Sequence, residues 1–178
     1  MKRLIFLFCL LSLPILATAQ VKNTSYITPS GEKVLRVELT IPLDKKGAWQ
    51  LFTKDAELKK WIAPQAHIEL QTGGYILTNY DSTKTLADSS SIRLPIVNYL
   101  DQELLTLKVI LNNHFPKQVQ DEDDNLQEII QFVPVASNQT KIISSMIGWG
   151  KGPAWDKTYD FFVKGNTWTY EELRKLFK

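Results

Sequence analysis

Gly148-Trp149-Gly150-Lys151-Gly152-Pro153-Ala154-Trp155, with the run that follows it to Phe177, decides how this chain folds. Three glycines leave a strand-like segment, and Pro153 opens a helix at a position where its missing N–H is not needed. Trp155, Tyr159, Phe162, Asn166, Leu173 and Leu176 then recur at helical spacing, and Trp149, Phe161, Trp168 and Phe177 widen the apolar side. So aromatic a helix needs a partner surface, and the preceding residues read as a sheet. Gly165 interrupts the stripe, and Thr169 with Glu172 forms a capping-box pattern. Two short helices therefore stay open as a reading. The stripe keeps its phase across Gly165, which favours one long helix.

Working back from that helix, Val34 to Ile41 alternates, with Leu35, Val37, Leu39 and Ile41 on one side, as in a half-buried strand. Pro42 ends it. Asp44 is placed to cap a helix to Thr53 whose inner side is Ala48, Trp49, Leu51 and Phe52. Asp55 starts a shorter helix through Leu58 and Trp61, stopped by Pro64. Strands are expected at 66–71 and 75–80 around the Gly73-Gly74 turn, at 92–100 and 104–111 around Asp101-Gln102, and at 127–134 and 141–147. The segments 81–91 and 112–125 read as loops. Strand, two helices, antiparallel strands and a last helix make an α+β pattern.

The first nineteen residues stand apart. Lys2-Arg3 precede an apolar run from Leu4 to Leu16 and then Ala17-Thr18-Ala19, the pattern of a secretory signal peptide cleaved before Gln20. The run is shorter than the roughly 20 residues of a membrane span, so no span is expected after cleavage. An uncleaved anchor is the rival reading. Cys9 is the chain's one cysteine and lies inside this run, so the mature chain has no thiol chemistry and no disulfide. Without Lys2 and Arg3, nineteen basic residues balance nineteen acidic ones, which argues against nucleic acid as a partner. The chain thus divides into residues 1–19 as a signal peptide, 20–33 as a polar lead-in with room for an early strand, and 34–178 as one domain.

Ala48-Trp49-Gln50-Leu51-Phe52-Thr53, Leu58-Lys59-Lys60-Trp61, Thr72-Gly73-Gly74-Tyr75, Gly148 to Gly152, Trp155-Asp156-Lys157-Thr158-Tyr159 and Phe161-Phe162 follow one another in a recognisable order. From Val34 to Phe177 the chain resembles the Hsp90-ATPase-activator-homologue (AHSA1-like) branch of the START/Bet v 1-like (SRPBCC) superfamily. The resemblance implies a helix-grip fold. In that fold a curved antiparallel sheet of about six to seven strands wraps round the long C-terminal helix, with two short helices after the first strand. It also implies a cavity between sheet and helix, often for lipids, sterols or aromatic compounds. Export would put the cytosolic chaperone after which the family is named out of reach.

Chemistry is sparse. His67 and His114 are the only histidines, and the mature chain has no cysteine to join them in a zinc site, so no metal or cofactor is expected. Asp121-Glu122-Asp123-Asp124 lacks the glycine and glutamate of a calcium loop and reads as a solvated acidic loop. The glycines at 148–152 have the wrong spacing for a phosphate loop and read as a turn that lets Trp149 and Trp155 pack closely. Ser144 and Ser145 share a strand with Met146, and one of them faces inward. No pair of acid–base groups emerges from spacing. The candidate site is therefore aromatic: Trp61, Tyr80, Phe115, Phe132, Met146, Trp149, Trp155, Tyr159 and Phe162 as cavity lining, with a small apolar ligand as the candidate partner. A cyclase- or hydrolase-type enzyme in the same cavity and a protein-interaction domain are the alternatives.

Overall fold

A computed structural model describes residues 20–178; the expected signal peptide lies outside them. Two short strands, β1 (Lys22–Asn23) and β2 (Tyr26–Ile27), precede β3 (Lys33–Ile41). Helices α1 (Lys45–Thr53) and α2 (Asp55–Leu58) follow, then β4 (Gln65–Glu69), β5 (Tyr75–Asn79), β6 (Ile92–Leu100) and β7 (Leu104–Lys108). A short helix α3 (Lys117–Glu122), the hairpin β8 (Gln127–Ala136) and β9 (Gln139–Ile147), and α4 (Pro153–Lys175) complete the chain.

Local chemistry sets these boundaries. The Asp44 carboxylate accepts from the Gly47 amide at 2.7 Å and caps α1. Ala48, Trp49, Leu51 and Phe52 are buried as the amphipathic pattern requires. Along β3, Leu35, Val37, Leu39 and Ile41 all face the core. Asp55 does not act as a helix cap. Its carboxylate instead takes the Ile68 amide at 2.9 Å and His67 Nδ1 at 2.8 Å, tying α2 to β4. The helix α4 is continuous through Gly165. Asp156 sits in its first turn and Arg174 and Lys175 in its last, the charge order that suits the helix dipole.

The sheet differs from expectation in extent and shape. Its order is β1-β3-β9-β8-β7-β6-β5-β4, all antiparallel, with β2 also paired to β3, making nine strands rather than six or seven. The two added strands lie in the polar lead-in, where pairs of residues too short to show alternation bond to β3. The sheet is also an open path. β1 and β4 end it without pairing, and it neither closes nor curls strongly, so it does not wrap round the helix. Helix α4 packs on one face and keeps a solvent side, where Phe161 and Trp168 are 59% and 53% exposed. Physically, α1 and α2 share that face with α4, so the apolar face of the sheet is covered by helices laid over it.

The segment 112–125 is not all loop. It holds α3, whose buried residue is Val119 alone, too little for an apolar period. The acidic run inside it is not simply solvated. Asp123 is nearly buried, pairs with Lys108 Nζ at 3.0 and 3.1 Å and accepts the Leu126 amide at 2.9 Å. Glu122 Oε2 accepts from Trp155 Nε1 at 2.7 Å. This run is the clasp that holds α3 against the start of α4.

Candidate functional site

Between the sheet and α4 lies a cavity of about 480 Å³. Its floor is the helix-facing side of the sheet, including Ile76, Leu107, Ile130 and Met146. Phe52, Leu58 and Trp61 from α1, α2 and the turn after them form one wall. On the α4 side, Phe162, Gly165, Asn166, Thr169 and Tyr170 face it, five positions that one helical face brings together. Tyr80, Ile110, Phe161 and Trp168 also border the cavity and are each exposed, so they form an aromatic and aliphatic rim at its mouth.

The aromatic candidates separate into two groups. Trp61, Tyr80, Phe115, Met146 and Phe162 line the cavity. Phe132, Trp149, Trp155 and Tyr159 do not. Phe132 is packed edge-on between Trp49 and Phe52, with ring centroids 5.2 Å from each. Trp149 donates to the Met146 carbonyl at 3.0 Å and meets Tyr159 edge-on at 5.0 Å, outside the cavity. Trp155 is 1% exposed, its ring laid over Gly150, where a Cβ would fall 2.1 Å from Nε1. Phe132 and Trp155 belong to the core, and Trp149 and Tyr159 pack half-buried against it; residue type alone does not separate these aromatics from lining ones. His114 borders the cavity, whereas His67 stays with Asp55 on the far edge strand. Among the described residues no cluster of three metal-ligating side chains occurs.

The cavity also holds what the sequence reading did not find, a carboxyl group. Glu128 alternates inward with Ile130 and Phe132 on β8. Its Oε1 accepts from Ser144 Oγ at 2.6 Å and from the Tyr170 hydroxyl at 3.3 Å. Ser144 is fully buried, so the inward serine is a hydrogen-bond donor as well as a small residue. Tyr170 fills the gap in the helical stripe between Asn166 and Leu173. The signal was available in the phase of β8, where a charged residue falls on the apolar side. Burial raises the Glu128 pKa above the ordinary glutamate value, and its two hydrogen bonds offset this in part. Burial, and then the Glu128 charge, raise the Tyr170 hydroxyl well above its ordinary value too.

This shift predicts a pH dependence. The folded chain holds the Glu128 proton to higher pH than the unfolded chain does. Stability therefore declines as pH rises from the unfolded glutamate pKa through the raised folded one, and levels off above it. Glu128→Gln removes that decline. Thermal melts should find variant and wild type close near pH ~4, with the variant gaining steadily on wild type towards neutrality. A difference that does not change with pH would contradict a raised carboxyl.

No protein-family model matches the chain, and no curated protein matches it. Solved structures do. A protein of unknown function from Enterococcus faecalis aligns with a TM-score of 0.51 at 17% identity over 70% of this chain, which spans only 60% of that protein. The Aha1 dimer from Colwellia psychrerythraea gives a TM-score of 0.59 at 17% identity, covering 81% of this chain and 92% of the other. A protein from Mesorhizobium loti gives 0.60 at 14% identity, covering 80% and 95%. The chain thus shares, distantly, the fold of these solved structures. At these identities the likeness is one of fold.

Proposed function

We propose that the chain is an exported, non-catalytic binding domain, freed of residues 1–19, that holds a small hydrophobic molecule between its sheet and α4. The carrying observation is the cavity itself. Its ~480 Å³ lies within the range of small-molecule sites, its walls are mainly apolar and its mouth is ringed by exposed Tyr80, Ile110, Phe161 and Trp168. Export rests on Lys2-Arg3, the apolar run and Ala17-Thr18-Ala19. The sequence resemblance to the activator-homologue branch supports the same reading of the fold, and the Aha1 structure from Colwellia is a distant match.

Native mass spectrometry of the protein from its own host tests both parts. The expected species begins near Gln20 and carries a bound apolar molecule. Purified protein should also take up N-phenyl-1-naphthylamine, an uncharged apolar dye that brightens when buried, with quenching of Trp61 and Trp168 beside the cavity. Intact Met1 would overturn export. A dye that never binds, together with no co-purified molecule, would overturn the binding role.

Glu128 supports a second reading, an enzyme that uses this carboxyl as acid or base, because a group with a raised pKa in a cavity is suited to proton transfer. Conversion, rather than mere retention, of the co-purified molecule by the protein would favour it.

A further inference from the structure

Glu128 has two oxygens in different situations. Oε1 is engaged by Ser144 and Tyr170, both as donors. Oε2 has no hydrogen-bond partner among the described residues, and it is not among the sealed, unpartnered polar atoms, so it opens on the cavity. No lysine or arginine lines that cavity; its ionisable groups are Glu128, Tyr80, Tyr170 and His114. The carboxyl is thus set in an apolar chamber with hydrogen-bond donors behind it and no cation in front. Evolutionarily cheaper residues fill a core position. A carboxyl without a counter-charge in such a place is costly unless something pairs with it.

A second polar group stands beside it. Glu128 and Met146 are cross-strand partners on β8 and β9, and Asn166 of α4 donates its amide to the Met146 sulfur at 3.2 Å. A thioether is a weak acceptor, so this amide is poorly satisfied. Asn166 lies one turn before Tyr170 on the same helix face. Glu128 from the sheet and Asn166 from the helix are therefore both neighbours of Met146 on the cavity wall, and the Asn166 amide carries a carbonyl oxygen as a further acceptor. An ammonium carries three donors and no acceptor, and this arrangement offers it acceptors and one negative charge.

Resting on the binding role proposed above, we infer that the cavity selects hydrophobic molecules with a primary-amine head, seated between Glu128 Oε2 and the Asn166 amide with the apolar tail towards the aromatic mouth. The same geometry discriminates against fatty acids. A carboxylate head seated there would meet the like charge of Glu128, and the Asn166 amide alone offers it too little.

Displacement of N-phenyl-1-naphthylamine by decylamine, decanol and decanoate, below their micelle concentrations and near neutral pH, tests this. The three share one tail and differ in head. Decylamine should displace the dye at least about tenfold more tightly than decanoate, with decanol between them. Glu128→Gln should abolish most of the amine-over-acid ratio and leave decanol within about threefold, roughly the limit of a meaningful affinity difference. Equal or tighter binding of decanoate, which His114 at the cavity edge would favour, overturns the inference, as does an unchanged ratio in Glu128→Gln. In both of those outcomes the cavity still binds apolar tails, so the binding role survives. Failure of the dye and all three displacers to bind sinks the binding role itself. A melt of Glu128→Gln near neutral pH shows that the variant compared is folded.

Discussion

Trp155→Ala is expected to lose about 3–5 kcal/mol of stability in urea melts, the usual cost of truncating a buried tryptophan. The ring is 1% exposed and is the largest of the fully buried side chains. Three features make the site unable to collapse around the loss. Gly150 has no side chain to move into the gap, and its backbone already touches the indole. The indole N–H is the donor to Glu122, so truncation removes the bond that holds α3 to α4. Gly148, at φ +87°, fixes the approach, since a Cβ there would lie 2.1 Å from the Asn125 carbonyl oxygen. The loss is a large part of a typical domain stability of roughly 5–15 kcal/mol. Trp168→Ala is the control on the same helix. With half its surface exposed at the cavity mouth, it should cost under about 1 kcal/mol. Equal losses for the two variants would mean that burial along α4 has been assigned to the wrong face.

What the sequence makes legible follows from how much each element repeats its own signal. β3 and α1 declare themselves because alternation and helical spacing run over whole elements, with Asp44 and Pro42 marking the boundary. The helix α4 is legible for the same reason, and Gly148 to Gly152 announces its start. β1 and β2 are two residues each, and α3 buries one side chain, so neither has a period to detect. The shape of the sheet is not a local property. Curl depends on how the strands stack under the helices, and an open nine-stranded sheet and a wrapped one have the same alternating strands. The site was half legible. Aromatic side chains are chosen alike by core and cavity, so Trp61 and Phe162 could not be told from Phe132 and Trp155 without coordinates. Glu128 was missed for a different reason. Its meaning depends on three elements at once: the inward phase of β8, Ser144 on β9 and Tyr170 on α4.

Gly165→Phe should weaken uptake of the apolar dye by at least about tenfold, or roughly 1.4 kcal/mol, without destabilising the fold. Gly165 is the one residue of α4 whose identity opposes its own helix, since glycine there costs roughly 1 kcal/mol against alanine. Nothing in the turn geometry requires it: the helix is continuous and its φ is ordinary. Nor does crowding, because a Cβ at this position would meet no atom within 4 Å. What surrounds it is the cavity, which Gly165 borders together with Asn166 and Tyr170. The absent side chain is thus empty volume facing the sheet, kept at the expense of helix stability. Two substitutions separate the effects. Gly165→Ala should raise stability by up to about 1 kcal/mol and leave dye binding nearly unchanged, because a methyl group removes little of the chamber. Gly165→Phe keeps the helical gain and adds a ring that enters the space a ligand would occupy. Opposite signs for stability and binding in the same variant are the mark of a position held open for a guest. If Gly165→Phe bound the dye as wild type does, the dye would sit elsewhere, and the cavity beneath α4 would lose its claim to be the binding site.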